Sequence, residues 1–359
     1  MTRPRRWSGA PARMKAAVLY GREDVRLETV AVPTPRPGEA LVRVEAALTC
    51  GTDVKVFRRG YHARMLVPPA LFGHEAAGTV EAVGDGVTDF SPGMRVVAAN
   101  SAPCDGCGFC RSERYSLCDD LQFWNGAYAE FVLLPARVVA RNLLRLDPHV
   151  SFRAAALVEP LACVVRGIEA CRIAEGQTVA VIGTGPVGLM ICARAMKLGA
   201  RVIAAGRREG RLEAARRLGA PVVLEVAPGD DLAAMLHDES GDGRGPDVVI
   251  EAVGSPETCE AALRAVRKGG LVNLFAGCPQ DVSIAFDAQR LHYEELKLIS
   301  TFHHTPASVR EAYRLIASDE IDAKAFITGE APLSRLPEVL KSLAHGSEGL
   351  KTAILPQQR

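Results

Sequence analysis

A run of β-prone residues, Val179-Ala180-Val181-Ile182, leads without a break into Gly183-Thr184-Gly185-Pro186-Val187-Gly188 and then into a helical pattern. A lone G-x-G-x-x-G is weak. Here a strand precedes it and a helix follows, which is the setting the motif requires. In that setting Gly183 permits the turn and Gly185 lets the backbone approach a pyrophosphate. Gly188 lets helix and strand pack closely, and the helix start at Pro186 and Val187 faces the phosphates. A plain strand–helix turn is the alternative. Strand-like runs then alternate with helical ones: 178–182 and 187–198, 201–205 and 211–218, 247–253 and 256–267, ending at 271–275. Such alternation predicts βαβ units and a doubly wound parallel sheet.

The first 150 residues read differently. Short runs such as 41–44 and 79–84 are separated by Gly and Pro, which predicts a compact β-barrel-like domain. With 359 residues, 48% hydrophobic and 24% charged, the chain is long enough for two domains with sizeable cores. The fifty or so residues at the C-terminal end lose the alternation, are too few for a third domain, and are expected to pack back on the first. Lys and Arg number 43 against 42 Asp and Glu, and four of the arginines lie in the first thirteen residues, so the body is mildly acidic. That argues against nucleic acid as a partner. The longest uncharged run, 176–193, is broken by glycines and a proline and does not read as a membrane span. No apolar stretch follows Arg5-Arg6, so no export signal is read and a cytoplasmic location is expected. The first strand is predicted to begin at Met14, leaving 1–13 as a disordered extension.

Cys104, Cys107, Cys110 and Cys118 form C-x2-C-x2-C-x7-C, with Gly106 and Gly108 allowing sharp turns. Thiolates so close suit one tetrahedral zinc ion better than disulfides. An iron–sulfur cluster is the rival, although a Cys-Pro usually closes that run and Asp119 follows Cys118 here. Four protein ligands leave no open position, so such a zinc is structural.

Three other segments hold metal-ligating side chains: Cys50 in Cys50-Gly51-Thr52-Asp53, His74 and Glu75 in Gly73-His74-Glu75-Ala76-Ala77-Gly78, and Glu159 in Glu159-Pro160-Leu161-Ala162-Cys163. Singly each is ordinary, and their joint order carries the argument. Together with the cysteine lobe and the glycine motif they resemble the zinc-containing medium-chain alcohol dehydrogenases, most closely the sorbitol, polyol and threonine dehydrogenases. Gly73-His74-Glu75-x2-Gly78-x5-Gly84-x2-Val87 fits that family's zinc signature without a gap, and the likeness runs from Met14 over nearly the whole chain.

The resemblance implies an α/β protein. A GroES-like β-barrel catalytic domain covers 14–165, with a structural zinc lobe at about 104–118. A Rossmann coenzyme-binding domain covers 166–302, and 303–359 return to the catalytic domain. It implies one catalytic and one structural zinc per chain. Cys50 and His74 become ligands of the catalytic ion. Glu159 stands where ethanol-type enzymes carry a cysteine, as it does in polyol-type enzymes, and either ligates or lies beside the ligands. Glu75 lies against the metal and either ligates directly or exchanges with water. Such a set leaves a position for water or a substrate oxygen, where the ion eases ionisation of the alcohol before hydride transfer. Thr52 matches the hydroxyl that begins the proton relay. Lys55 replaces the histidine many relatives use next, and contacts either a cofactor phosphate or a ribose hydroxyl.

Where an NAD enzyme places an acid after the second strand, this chain has Gly206-Arg207-Arg208, with Glu209 displaced by three residues. Loss of the carboxylate and gain of guanidinium favour NADP(H) over NAD(H); a solvated turn with dual or NAD use is the alternative. Val253, Phe275 and Ala276 resemble positions flanking the nicotinamide. His303, in Phe302-His303-His304-Thr305-Pro306, either binds a substrate hydroxyl or serves a hinge. Phe123 and Trp124 are pocket walls or core. The expected function is oxidation of a secondary alcohol or polyol to its ketone. The alternatives are a threonine- or amino-alcohol-type dehydrogenase using NAD(+), or a noncatalytic NADPH-binding protein on the same scaffold. A small-molecule substrate and a homodimer or homotetramer are expected, with no nucleic-acid or membrane partner.

Overall fold

The computed structural model describes residues 11–358 apart from 63 and 281. The strands Arg13–Gly21 and Asp24–Ala31 form an antiparallel pair, with Ala70–Leu71 on the other side of the first. The strand thus begins one residue earlier than expected. Arg13 pairs with Ala31, and the Ala12 carbonyl accepts from Val32 N at 3.1 Å. The extension read over 1–13 is therefore shortened from its C-terminal side, and residues 1–10 lie outside those described.

A larger sheet lies beside this hairpin. Its order is Leu143–Arg145, Arg95–Ala98, Ala76–Val83, Ala40–Leu48, Lys351–Leu355, Ile327–Pro332, with Phe131–Leu134 also pairing with Ala40–Leu48. The alternation of buried and half-buried residues along Ala76–Val83 suits a barrel wall with one face on a core. Strand Lys351–Leu355 is inserted antiparallel against Ala40–Leu48, with Ala353 opposite Leu48. This pairing carries residue 351 to the floor of the site described below.

The second half is a six-stranded parallel sheet. Its order is Val222–Glu225, Arg201–Gly206, Thr178–Ile182, Val248–Glu251, Leu271–Leu274, Lys297–Ser300. The two central strands are buried throughout or nearly so, as parallel strands covered on both faces must be. The strand order reverses beside Thr178–Ile182, which opens a crevice at the carboxyl ends of the strands. The outer strands Val222–Glu225 and Lys297–Ser300 and the helix Leu232–Asp238 were not anticipated. The strands are only four residues long, and their solvent-facing residues erase the apolar signal. The helix Val158–Cys171 runs between the halves and packs into the larger core. Among the described residues no helix is long and apolar enough to cross a membrane.

Candidate active site

Cys50 is the N-cap of the helix Gly51–Arg59. Its Sγ accepts from Thr52 N at 3.4 Å, while Asp53 reaches back to accept from Cys50 N at 3.0 Å. This reciprocal cap places the thiol at the positive end of a helix, where a thiolate is favoured. Asp53 does more than cap. Its Oδ1 lies 3.0 Å from His74 Nδ1 and its Oδ2 accepts from the Tyr128 hydroxyl at 2.5 Å. With Nδ1 tied to a carboxylate, Nε2 is the His74 nitrogen left to face a metal. Ligand atoms of Cys50, His74 and Glu75 all lie within 4.8 Å of one another.

Glu75 is fully buried, and Lys351 Nζ donates to both its oxygens, at 2.8 and 2.6 Å, and to the Thr49 carbonyl at 3.0 Å. Burial alone would push the Lys351 ammonium down, but Glu75 and Cys50 hold it above its ordinary value, while burial pushes the Glu75 carboxyl well up against the pull of Lys351. Burial also works against the Cys50 thiolate. Lys351 and His74 overcome it and bring the thiol down to about 7. Burial opposes protonation of His74, and Asp53 outweighs it, raising that group well above the usual histidine value. A thiol poised to ionise, an oriented imidazole and a carboxylate with three converging atoms fit a divalent ion with one position open.

Glu75 groups with Cys50 and His74, and Glu159 with Cys163 and His303, while Glu159 still lies near enough to His74 and Glu75 for their charges to act on it. Burial raises the Glu159 carboxyl to about 7. His303 Nε2 lies 2.6 Å from Ser101 Oγ, and its ring stands 5.3 Å from Phe123. His304 is buried with Nε2 3.0 Å from Asn100 Oδ1, and burial followed by His74 lowers it to about 3, so it is a neutral ring. Phe123 therefore faces the site, while Trp124 is core and donates to the Ala99 carbonyl at 2.8 Å. Thr52 is half-buried beside Cys50. Lys55 Nζ donates to the Gly277 carbonyl at 3.3 Å, across to the end of the parallel sheet.

In the lobe, sulfurs of Cys104, Cys107, Cys110 and Cys118 lie within 4.8 Å of one another. Cys104 N donates to Cys118 Sγ at 3.2 Å and Cys110 N to Cys107 Sγ at 3.4 Å, as thiolates on a metal would require. None of the ten cysteines is in a disulfide. Arg141 ties the lobe to the barrel through Asp105, and Arg137 through Asp120, each at 2.6 Å.

At the crevice the helix Pro186–Lys197 starts from Gly185. A Cβ on Gly188 would stand 1.8 Å from the Gly183 carbonyl oxygen, so only glycine lets turn and helix pack this closely. Gly206 ends its strand against Thr184, whose Oγ1 would lie 2.1 Å from a Cβ there. A side chain added at 206 would require the Thr184 side chain to give way. Glu209 is turned to Arg216, at 2.6 Å. Arg207 is exposed, and Arg208 caps the helix Glu209–Arg217 and donates to the Ser347 carbonyl at 3.1 Å. Val253 lies against Gly183, and its N–H donates to Glu251 Oε1 at 2.8 Å. Phe275 N and Ala276 N donate to the Glu251 carbonyl at 3.0 and 3.1 Å.

Sequence reasoning missed Asp53, Tyr128, Lys351, Cys163, Ser101, Asn100 and Arg211. Asp53 had a signal, because an acid three residues after a cap is half of a capping box. Arg211, near Gly185 and bonded to the Gly349 carbonyl at 3.2 Å, reads in sequence as a helix-surface residue. Lys351 had no local signal.

Comparison with known proteins agrees with this construction. The family of the alcohol dehydrogenase GroES-like domain matches residues 36–143, and the zinc-binding dehydrogenase family matches 186–318. Sorbitol dehydrogenase of Bacillus subtilis is 30% identical, over 97% of this chain and 99% of that protein. Erythritol/L-threitol dehydrogenase of Mycolicibacterium smegmatis is also 30% identical, over 96% and 98%. The structure of a zinc-binding dehydrogenase from Sinorhizobium meliloti bound to NADP is 29% identical with a TM-score of 0.89, over 96% of this chain and 100% of that one. With both halves matched and relatives aligned almost end to end, this chain belongs to the zinc-containing medium-chain alcohol dehydrogenases, which use zinc and a nicotinamide dinucleotide to oxidise or reduce at CH–OH donors.

Proposed function

We propose that this protein oxidises a secondary alcohol or polyol to its ketone with NADP(+) as the favoured hydride acceptor. The observation that carries the reading is the convergence of Cys50, His74 and Glu75 within 4.8 Å, with the Glu159 group alongside and polar. A zinc ion held there supplies Lewis acidity that lowers the cost of ionising an alcohol. Asp53 keeps the His74 ring in one orientation and tautomer. Lys351 balances the buried Glu75 charge. Thr52, with no intramolecular hydrogen bond to its hydroxyl among the described residues, is available to take the substrate proton. Lys55, anchored on Gly277, bridges toward the cofactor side. Neutral His303 and Ser101 offer hydrogen bonds to a second substrate hydroxyl, which suits a polyol better than an alkyl alcohol. The sorbitol and erythritol enzymes among the relatives support the same substrate class.

For the cofactor, Gly183, Gly185, Pro186, Val187 and Gly188 form the phosphate turn, with Val253, Phe275 and Ala276 at the nicotinamide end. NADP is favoured because position 206 is glycine and carries no acid, Glu209 is spent on Arg216, and Arg207, Arg208 and Arg211 surround the strand end. The four lobe cysteines hold a second, structural zinc. We keep the catalytic half at 14–165 and 303–359 and the coenzyme half at 166–302. Homodimers or homotetramers are proposed, since the outer strand Lys297–Ser300 pairs on only one side among the described residues.

The test is reduction of NADP(+) and NAD(+) by zinc-loaded protein across polyols, sugar alcohols, threonine and simple secondary alcohols, with Cys50→Ala in parallel. Turnover of a polyol with NADP(+), lost in Cys50→Ala, is the expected result. A preference for NAD(+) overturns the cofactor assignment and leaves the metal chemistry standing; turnover confined to threonine overturns the substrate class.

A further inference from the structure

Away from the metal centres, two thiols stand face to face. Cys259 lies on the helix Pro256–Ala265 and is wholly buried, whereas Cys278 is exposed on the segment that leaves strand Leu271–Leu274. Their Sγ atoms are 3.8 Å apart, although the residues are 19 apart in sequence. The buried partner is firmly held. Ser255 and Thr258 cap its helix reciprocally, and Glu251 Oε1 accepts from Val253 N, Gly254 N and the Thr258 hydroxyl, each at 2.8 Å. The exposed partner follows Gly277, whose backbone presses on the start of that helix: a Cβ on Gly254 would stand 2.5 Å from the Gly277 carbonyl oxygen. The same carbonyl accepts from Lys55 Nζ at 3.3 Å, a long bond that a small displacement breaks.

We infer that Cys259 and Cys278 are a reversible oxidation site, which a hydroperoxide closes to a disulfide, and that the closed form binds the nicotinamide cofactor less tightly. The exposed Cys278 meets the oxidant first. Its sulfur takes one peroxide oxygen, the O–O bond breaks, and the rest of the peroxide leaves as water or an alcohol, with a sulfenic acid on Cys278. The Cys259 sulfur then attacks: the S–S bond forms as the S–O bond breaks, and the Cys259 proton joins the departing hydroxide as water. Two thiols are oxidised and one peroxide is reduced. Burial, and then Glu251, push the Cys259 thiol up to about 12, so it resolves the sulfenic acid rather than meeting peroxide itself. Glu251 Oε2, buried with no hydrogen-bond partner among the described residues, is an acceptor for that proton on its way to hydroxide. A disulfide needs its sulfurs roughly 2.0 Å apart, so the exposed Cys278 segment is drawn toward the helix. The Lys55–Gly277 bond beside it is then lost. The weaker cofactor binding rests on the reading of Lys55 and Ala276 given above, whereas the disulfide does not.

The experiment treats the zinc-loaded full chain with a small excess of hydrogen peroxide, quenched by catalase. Non-reducing digestion with mass spectrometry then maps the cysteines, bound zinc is counted, and NADPH and NADH affinities are read by fluorescence. Expected are a linked peptide pair joining 259 to 278, reversed by dithiothreitol, and an unchanged zinc count. The dissociation constant for the cofactor should rise about two- to tenfold, the worth of one hydrogen bond, and fall back on reduction. Cys278→Ser should bind cofactor like the reduced protein and not respond to peroxide, and Cys259→Ala should stop at a sulfenic acid that dimedone traps on Cys278. Four results overturn the inference: no linked pair, linkage through a zinc-centre cysteine with zinc released, unchanged affinity in the linked protein, or an equal response in Cys278→Ser. Reduced protein that binds neither nucleotide overturns the cofactor reading and the affinity effect with it, while the linked pair still decides the oxidation site.

Discussion

The two cysteine-bearing centres of this protein are built by opposite means. The lobe draws its four sulfurs from fifteen consecutive residues, 104–118, and turns them inward with backbone N–H donors from the same loop. The Cys50–His74 centre draws on the cap of one helix, the end of a strand approach, and Lys351 from a strand paired in last from the far end of the chain. A local centre closes on itself and would leave a metal no free position. A dispersed centre can keep one open, because its donors are held by separate elements rather than by one another. Openness to substrate is thus tied to dependence on the whole fold.

That contrast can be broken at several points. The largest effect is expected from Cys110→Ser, which takes a buried ligand from the lobe. Structural zinc contributes on the order of 10 kcal/mol to small metal-folded units, so the lobe should lose its ion and order, read as one zinc fewer per chain and a lower melting temperature. An unchanged melt with one zinc gone would show that the arginine ties at 137 and 141 hold the loop without metal. Next comes Lys351→Met, which strands the Glu75 charge. Breaking a buried pair costs about 3–5 kcal/mol, so a marked fall in denaturant midpoint is expected although the change lies far in sequence from every proposed ligand. An unchanged midpoint would mean that Glu75 is neutral in the native protein.

Asp53→Asn is smaller. It preserves shape but frees the His74 ring, and losing such a partner typically weakens metal binding by about 10–100-fold. Zinc competition against a chelator should show that loss at one site with the lobe unaffected. The smallest effect is one of pH. In metal-free protein the Cys50 thiol is lowered to about 7 and Cys107, helped first by the Asp119 backbone N–H, also to about 7, while burial raises Cys110 to about 12. A depressed thiol is ionised above its pKa and protonates as pH falls through it. Iodoacetamide labelling followed by mass spectrometry should therefore mark Cys50 and Cys107 from near neutrality and Cys110 last. In Lys351→Met the Cys50 onset should move to higher pH, while Cys107 stays where it was.

What the sequence discloses follows the same division. The lobe was legible because its chemistry is written in spacing, and the phosphate turn because 179–188 carries strand, glycines and helix together. The outer strands of the parallel sheet were not, since four-residue edges such as Lys297–Ser300 bury too little to leave a pattern. Cys50 and His74 were found by resemblance. How near Glu159 comes to His74 and Glu75 depends on how the helix Val158–Cys171 packs against the strand ends, which no local pattern encodes. Lys351 heads a strand that reads as apolar wall, and its role comes only from the residue opposite.

The placement of that strand also has a consequence in time. In a chain emerging from the ribosome the lobe, the parallel sheet and the rest of the barrel all precede the strand Lys351–Leu355. Until Lys351 arrives, Glu75 has no counter-charge and the seam beside Ala40–Leu48 is open. Nascent chains therefore carry a Cys50–His74–Glu75 cluster that is electrostatically incomplete until this last strand pairs.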